Sequence, residues 1–264
     1  MNKLIVENIP VSVSREHEAE KEIEFFLSEI FKEYKFDINK IRIIRKSLDC
    51  RQKNNIHYLL NILVDLDDKN KVIKESNIDE NIPAEGILLK VEKGDRKASL
   101  RIKNEKEYII EKPARRNIKF SPVIIGFGPA GMFAGDILSE NGYEPIILEQ
   151  GKSVEERIND VEKFLNGGQL NESSNIQFGE GGAGTYSDGK LTTSISDLRC
   201  RFVLETLVKH GANEEIIYNN KPHVGTDILR KVVKSVRKEI ISLGGTILFD
   251  TELTNIIFKN NAFT

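Results

Sequence analysis

One stretch constrains the fold of this chain more than any other: FSPVIIGFGPAGMFAGDILSENGYEPIILEQG, from Phe120 to Gly151. A continuous apolar run, Val123-Ile124-Ile125, leads straight into Gly126, Gly128 and Gly131, which are spaced G-x-G-x-x-G. An Ala-rich segment of helical character and a second apolar strand follow, and that strand ends at Glu149. Strand, glycine turn, helix and strand in close order predict a β-α-β unit of a parallel sheet. Each glycine meets a separate demand. Gly126 permits a tight turn, Gly128 lets backbone approach a pyrophosphate, and Gly131 allows close packing of helix on strand. A helix starting near Pro129 presents unpaired N–H groups and its positive dipole end to a diphosphate. Glu149 stands where a carboxylate accepts the ribose hydroxyls of an adenosine, and its charge repels the 2′-phosphate of NADP.

A second glycine-rich stretch, NIQFGEGGAGTYSDGKL from Asn175 to Leu191, bears on which dinucleotide binds. Its glycines are interleaved with Phe178, Thr185, Tyr186, Ser187 and Asp188, which a flexible linker does not require. So much glycine marks close backbone approach to a flat or charged ligand. Later, TDILRKVVKSVRKEIISLGG shows helical spacing with Gly244 and Gly245 as its stop, and TILFDTELTNIIF alternates like a strand or hairpin.

The N-terminal part has a different pattern. KLIVENI, SREHEAEKEIEFFLSEIFKEYK, KIRIIRKSL, HYLLNILVDL and GILLKVEK predict strand, helix, strand, strand, a weak helix, and strand. Ser14 is the expected cap of the first helix, and Ile23, Phe26, Leu27, Ile30 and Phe31 form its apolar face. This order resembles a split β-α-β, ferredoxin-like plait. Residues 103–119 are polar and basic, contain Pro113, Arg115 and Arg116, and suit a linker. The expected organisation is a small α+β domain over 1–112 and an α/β dinucleotide-binding domain over 113–264.

VIIGFGPAGMFAG, IILEQGKSVEERINDVEKF, SNIQFGEGGAGTYSDGKL and KPHVGTDILRKVV together resemble the large bacterial FAD-dependent dehydrogenases, NAD(P)/FAD-dependent oxidoreductases with a glutathione-reductase-like FAD domain. IRIIRKSLDCRQK resembles the small α+β domain that precedes the flavin domain there. The resemblance implies an FAD-dependent oxidoreductase that transfers hydride through flavin N5, with NAD(P)H as an electron donor to the full-length protein. Gly126, Gly128, Pro129, Ala130 and Gly131 would hold the FAD diphosphate, Glu149 the ribose, and Gln150 and Gly151 the adenosine. Gly181, Gly182, Ala183, Gly184, Thr185, Ser187, Asp188, Gly189, Lys190 and Leu191 would lie along the ribityl chain and isoalloxazine, with Lys190 placing a positive charge near the ring. Leu253 completes the expected contacts. The family also has a substrate or nicotinamide portion and a late glycine-acid motif over the phosphates. Neither is found here, so the sequence is expected to be an N-terminal portion. An NAD-binding domain without flavin, and a non-catalytic fragment with a binding role, remain open.

Other classes are disfavoured. Lys plus Arg number 39 against 41 Asp plus Glu, so no global field attracts nucleic acid. Arg42, Arg45, Lys46, Arg51 and Lys53 form a basic run, but IRIIRKSL lacks the aromatic pair of an RNA-binding sheet, and a solvated edge is expected. No stretch has the length and apolarity of a membrane span or signal peptide, and with only two distant cysteines this predicts a cytoplasmic protein; the resemblance implies a small-molecule substrate or nicotinamide cofactor as its partner. Cys50 and Cys200 form no C-x-x-C, and no redox cysteine pair follows the first glycine motif. His17, His57, His210 and His223 are expected to be isolated, with no carboxylate or cysteine partner at nucleophile or metal spacing, and no metal site is expected. No catalytic acid or base is named.

Overall fold

The computed structural model describes residues 2–30, 41–64, 86–93, 96–104, 108–110, 118–187, 189–259 and 262–263. The protein is mixed α/β, with an antiparallel sheet and a small parallel sheet. It divides into two units, Met1–Tyr108 with Ile217–Pro222, and Ile109–Ile216 with His223–Thr264. The expected boundary at 112/113, with Pro113, Arg115 and Arg116, lies outside the described residues.

The first unit is built from β1 (Asn2–Ser12), α1 (Ala19–Ile30), β2 (Ile41–Asp49), β3 (His57–Val64), β4 (Gly86–Lys93) and β5 (Arg96–Asn104). Both β1 and β2 pair antiparallel with β3, so β1, α1 and β2 form a split β-α-β, and the sheet order is β2-β3-β1-β5-β4. The fifth strand was not expected. RKASLRIKN is polar overall, but Ala98, Leu100 and Ile102 alternate, and the segment inserts between β1 and β4. The expected weak helix falls in 65–85, outside the described residues. Ile23, Phe26 and Leu27 of α1 are buried as their spacing predicts, each contributing about 2 kcal/mol of apolar burial. Phe31 and the side chain of Ile30 lie outside the described residues. Ser14 does not cap α1. It lies inside a 3₁₀ segment, Val13–Glu18, with its hydroxyl against Ser12 Oγ at 2.9 Å. The basic run on β2 is largely engaged: Lys46 pairs with Glu16, and Arg45 donates to Asn220 Oδ1. Arg51, just beyond the strand, forks onto Asp49.

In the second unit β6 (Val123–Ile125) pairs in parallel with β7 (Ile146–Leu148), and β7 with β8 (Thr246–Leu248). Helix α2 (Pro129–Glu140) connects β6 to β7. Helices α3 (Val154–Leu165), α4 (Leu198–Lys209) and α5 (Thr226–Ser242) precede β8, and α5 ends two residues before Gly244, whose φ of +96° closes the helix. Phe127, Met132, Ile147, Val233, Val236 and Ile240 make the core, with Ile124 and Ile247 against it, so α2 and α5 cover one face of the sheet. On β6, only Ile124 points inward. Val123 and Ile125 are exposed although the run VII is continuously apolar, because no described element covers the opposite face. The alternation expected over TILFDTELTNIIF reduces to the three residues of β8 and a short hairpin of β9 (Phe258–Lys259) with β10 (Ala262–Phe263).

Candidate functional site

The first glycine turn has the conformation that its spacing demands. Gly126 has φ +87°, a left-handed backbone suited to glycine, and its N–H donates to Leu148 O at 2.7 Å. A Cβ on Gly131 would stand 1.9 Å from Gly126 O, so only glycine lets α2 approach the turn so closely. Helix α2 follows with Gly128 as N-cap and Pro129 at its first position. Among the described residues no side chain caps its leading N–H groups, which leaves them without a side-chain acceptor.

Glu149, at the end of β7, is buried with 4% of its surface exposed. Its Oε2 accepts from Phe127 N–H at 2.6 Å and its Oε1 from Gly151 N–H at 2.9 Å. The carboxylate thereby ties the glycine turn to the chain leaving β7. Each oxygen keeps lone-pair capacity for a further donor such as a hydroxyl.

The second glycine segment is organised by a residue that the sequence did not single out. Arg157, on α3, is fully buried. Its Nε donates to Asn175 O at 2.7 Å and its Nη2 to Ile176 O at 2.8 Å. Its Nη1 lies 2.8 Å from Glu180 O, Gly182 O and Thr185 Oγ1. The centroid of the Tyr186 ring lies 4.8 Å from the guanidinium carbon of Arg157 and 4.6 Å from that of Arg230. A buried cation is thus satisfied by carbonyl dipoles of the loop it shapes. Beside it, burial pushes the Glu180 carboxyl up to about 7, while its Oε2 accepts from Val154 N–H and pairs with Arg237 at 3.2 Å. Gly181 N–H donates to Phe127 O at 2.8 Å, which fixes this segment against the first turn.

Between the two segments lies an open cavity of about 310 Å³, lined by Gly126, Gly128, Glu149, Gln150, Gly179, Gly182 and Leu253 among others. That volume is at the lower end for small-molecule sites. No family model matches the chain. The chain is similar to an uncharacterized protein of Clostridium beijerinckii (strain ATCC 51743 / NCIMB 8052), at 45% identity over 226 residues. The match takes in 86% of this chain and 39% of that protein, so the chain spans less than half the length of this relative.

Of the expected site residues, Gly126, Gly128, Glu149, Gln150, Gly182 and Leu253 line the cavity. Pro129, Ala130 and Gly131 form the start of α2 beside it, and Gly151 and Gly181 pack behind it. Thr185 is buried as an acceptor for Arg157 rather than presented to the cavity. Ala183 and Gly184 lie within the turn Gly182–Tyr186 and Ser187 follows it, while Gly189, Lys190 and Leu191 run toward His223, with the backbone of Lys190 bridging that of His223 and Val224 N–H donating to Gly189 O. These six do not line it, and Asp188 lies outside the described residues. Gln177, Phe178, Thr251 and Glu252 line the cavity without having been singled out as contacts. The histidine reading needs correction. His210 is not isolated, because folding brings Asp136 and Glu239 to 3.7 Å from its Nε2, and His57 stands 4.0 Å from Asp49. Cys50 and Cys200 are free thiols. Among the described residues no helix is long and apolar enough to cross a membrane.

Proposed function

We propose that this chain is the FAD-binding portion of a flavin-dependent oxidoreductase, with a dinucleotide-binding fold in its second unit and a plait-like first unit. One observation carries the reading. A left-handed Gly126 turn, an uncapped start of α2 and the buried carboxylate of Glu149 meet at one cavity, closed on its other side by the Gly179–Gly182 backbone. Helix N–H groups suit a diphosphate, and a carboxylate with spare lone pairs suits a ribose diol. When bound, FAD supplies hydride transfer at its N5. The protein's own residues bind and orient it: Gly126, Gly128 and the first turn of α2 receive the phosphates, Glu149 accepts from the ribose, and Gln150, Gln177 and Phe178 border the adenosine end.

The first experiment is an absorption spectrum of the purified chain with and without added FAD, with identification of any nucleotide released on denaturation. Flavin absorbance that persists through dialysis, with FAD released, is the expected result. A folded, colourless chain that takes up NAD and not FAD would replace this reading with a nicotinamide-binding domain. A folded chain without affinity for either would leave only a binding role.

A further inference from the structure

Away from the cavity, three residues of the second unit converge from separate segments: Asp136 on α2, His210 just past the end of α4, and Glu239 on α5. His210 Nε2 lies 3.7 Å from Asp136 Oδ1 and 3.7 Å from Glu239 Oε2, and one ligand atom from each residue falls within 4.8 Å of the other two. Asp136 is 2% exposed and His210 5%. Neither Asp136 Oδ1 nor His210 Nε2 has a hydrogen-bond partner, although both are fully buried. A separation of 3.7 Å is too long for a hydrogen bond between them, and two orphaned buried polar atoms are costly unless something lies between them.

The imidazole is oriented for that role. Its Nδ1 lies 3.1 Å from Ser235 Oγ on α5. With the hydroxyl accepting from Nδ1–H, the lone pair sits on Nε2 and faces both carboxylates, as an outer partner orients a ligating histidine. Ligand atoms at ~2.1 Å from a tetrahedral ion are ~3.4 Å apart, close to the spacing found here. Charge also favours an ion. Asp136, Glu239 and Glu140 lie around the Lys209 ammonium, whose Nζ is 2.5 Å from Glu140 Oε1 and 2.6 Å from Glu239 Oε1.

We propose that Asp136, His210 and Glu239 bind a divalent transition-metal ion, with zinc the best match to one imidazole nitrogen and two carboxylates. The ion staples α2, the end of α4 and α5 together. Three protein donors leave the ion's fourth position to water, and none of the three residues lines the cavity, so the site stands independently of the flavin reading.

The test uses the full chain, stripped with a chelator and titrated with zinc alone, followed by calorimetry, metal analysis and thermal melting. About one equivalent per chain and a raised melting temperature are expected. Asp136→Asn and Glu239→Gln should bind at least ~100-fold more weakly, and Ser235→Ala ~10-fold more weakly, the range for an outer-shell partner. Cobalt absorption of the unmutated chain reports the donor set without relying on any variant to fold. Failure to bind zinc stoichiometrically, affinity in both carboxylate variants unchanged from that of the unmutated chain, or a His210 that NMR shows as an imidazolium in excess zinc would each overturn the proposal. The last result would mean a buried ion pair instead.

Discussion

Replacing Arg157 tests how the second glycine segment keeps its shape. The guanidinium has five N–H groups, and the loop supplies Asn175 O, Ile176 O, Glu180 O, Gly182 O and Thr185 Oγ1, all at 2.7–2.8 Å. Lysine keeps the charge but has only three N–H groups on one atom, so Arg157→Lys loses at least two of these bonds. At about 1.5–3 kcal/mol for each hydrogen bond to a charged group, the loss is roughly 3–6 kcal/mol. Domains are stable by only about 5–15 kcal/mol, so that loss removes much of the margin. Arg157→Met removes all of these bonds and leaves only Gly182 O with another donor, the Thr185 hydroxyl at 2.9 Å, although it also relieves the desolvation of a buried charge, so its cost is about as large. Urea unfolding would give the global change, and amide hydrogen exchange would place it in the loop. Exchange should accelerate across residues 175–185, above all at Gly181, whose N–H holds the segment to Phe127 O. FAD affinity should fall at least ~10-fold, because the chain would have to order the loop on binding. If Arg157→Lys unfolds within about 1 kcal/mol of the unmutated chain and exchange across 175–185 is unchanged, the guanidinium does not organise this loop.

Three further outcomes follow from the same geometry. Gly131→Ala should cost about 3 kcal/mol or abolish FAD binding, since its Cβ meets Gly126 O at 1.9 Å, while Gly184→Ala, with open space around its Cβ, should stay within about 0.5 kcal/mol in the same urea titration. Glu149→Gln should weaken FAD binding by about 10- to 100-fold in a fluorescence titration, because a charged acceptor becomes a neutral one. Glu180, whose carboxyl burial raises from 4.5 to about 7, binds a proton more readily in the folded chain. Folding therefore takes up a proton in that window, and the group's contribution to stability falls as pH rises from 4.5 through 7, by up to about 3 kcal/mol. Thermal melts at pH 5 and pH 8 should show Glu180→Gln flattening that slope; parallel slopes in the two proteins would refute the shift.

Local rules made the first glycine turn and its helix legible, because G-x-G-x-x-G needs only residues close in sequence to define its shape. Glu149 was legible for the same reason, and so was the α1 face of Ile23, Phe26 and Leu27. β5 carried a readable alternation in Ala98, Leu100 and Ile102, hidden by the lysines and arginines between them. Arg157 and His210 were not legible. Arg157 meets acceptors 18 to 28 residues away, and its role depends on α3 folding over the loop. His210 meets carboxylates from two other helices, and no spacing in the chain announces that meeting.

Arg157 and the glycines are two halves of one device. Glycine lets backbone come close to a ligand, but it also raises the entropy that must be lost to hold one conformation. A loop with Gly179, Gly181 and Gly182 at positive φ has little of its own to fix it. A fully buried guanidinium donating to the carbonyls around those glycines supplies that constraint from behind, and leaves the opposite side of the backbone bare at the cavity. The same reasoning explains why an arginine occupies the position rather than an apolar residue. An apolar side chain would fill the space, but most of the inward-facing carbonyls would be left unpaired, a cost that only a set of buried donors removes.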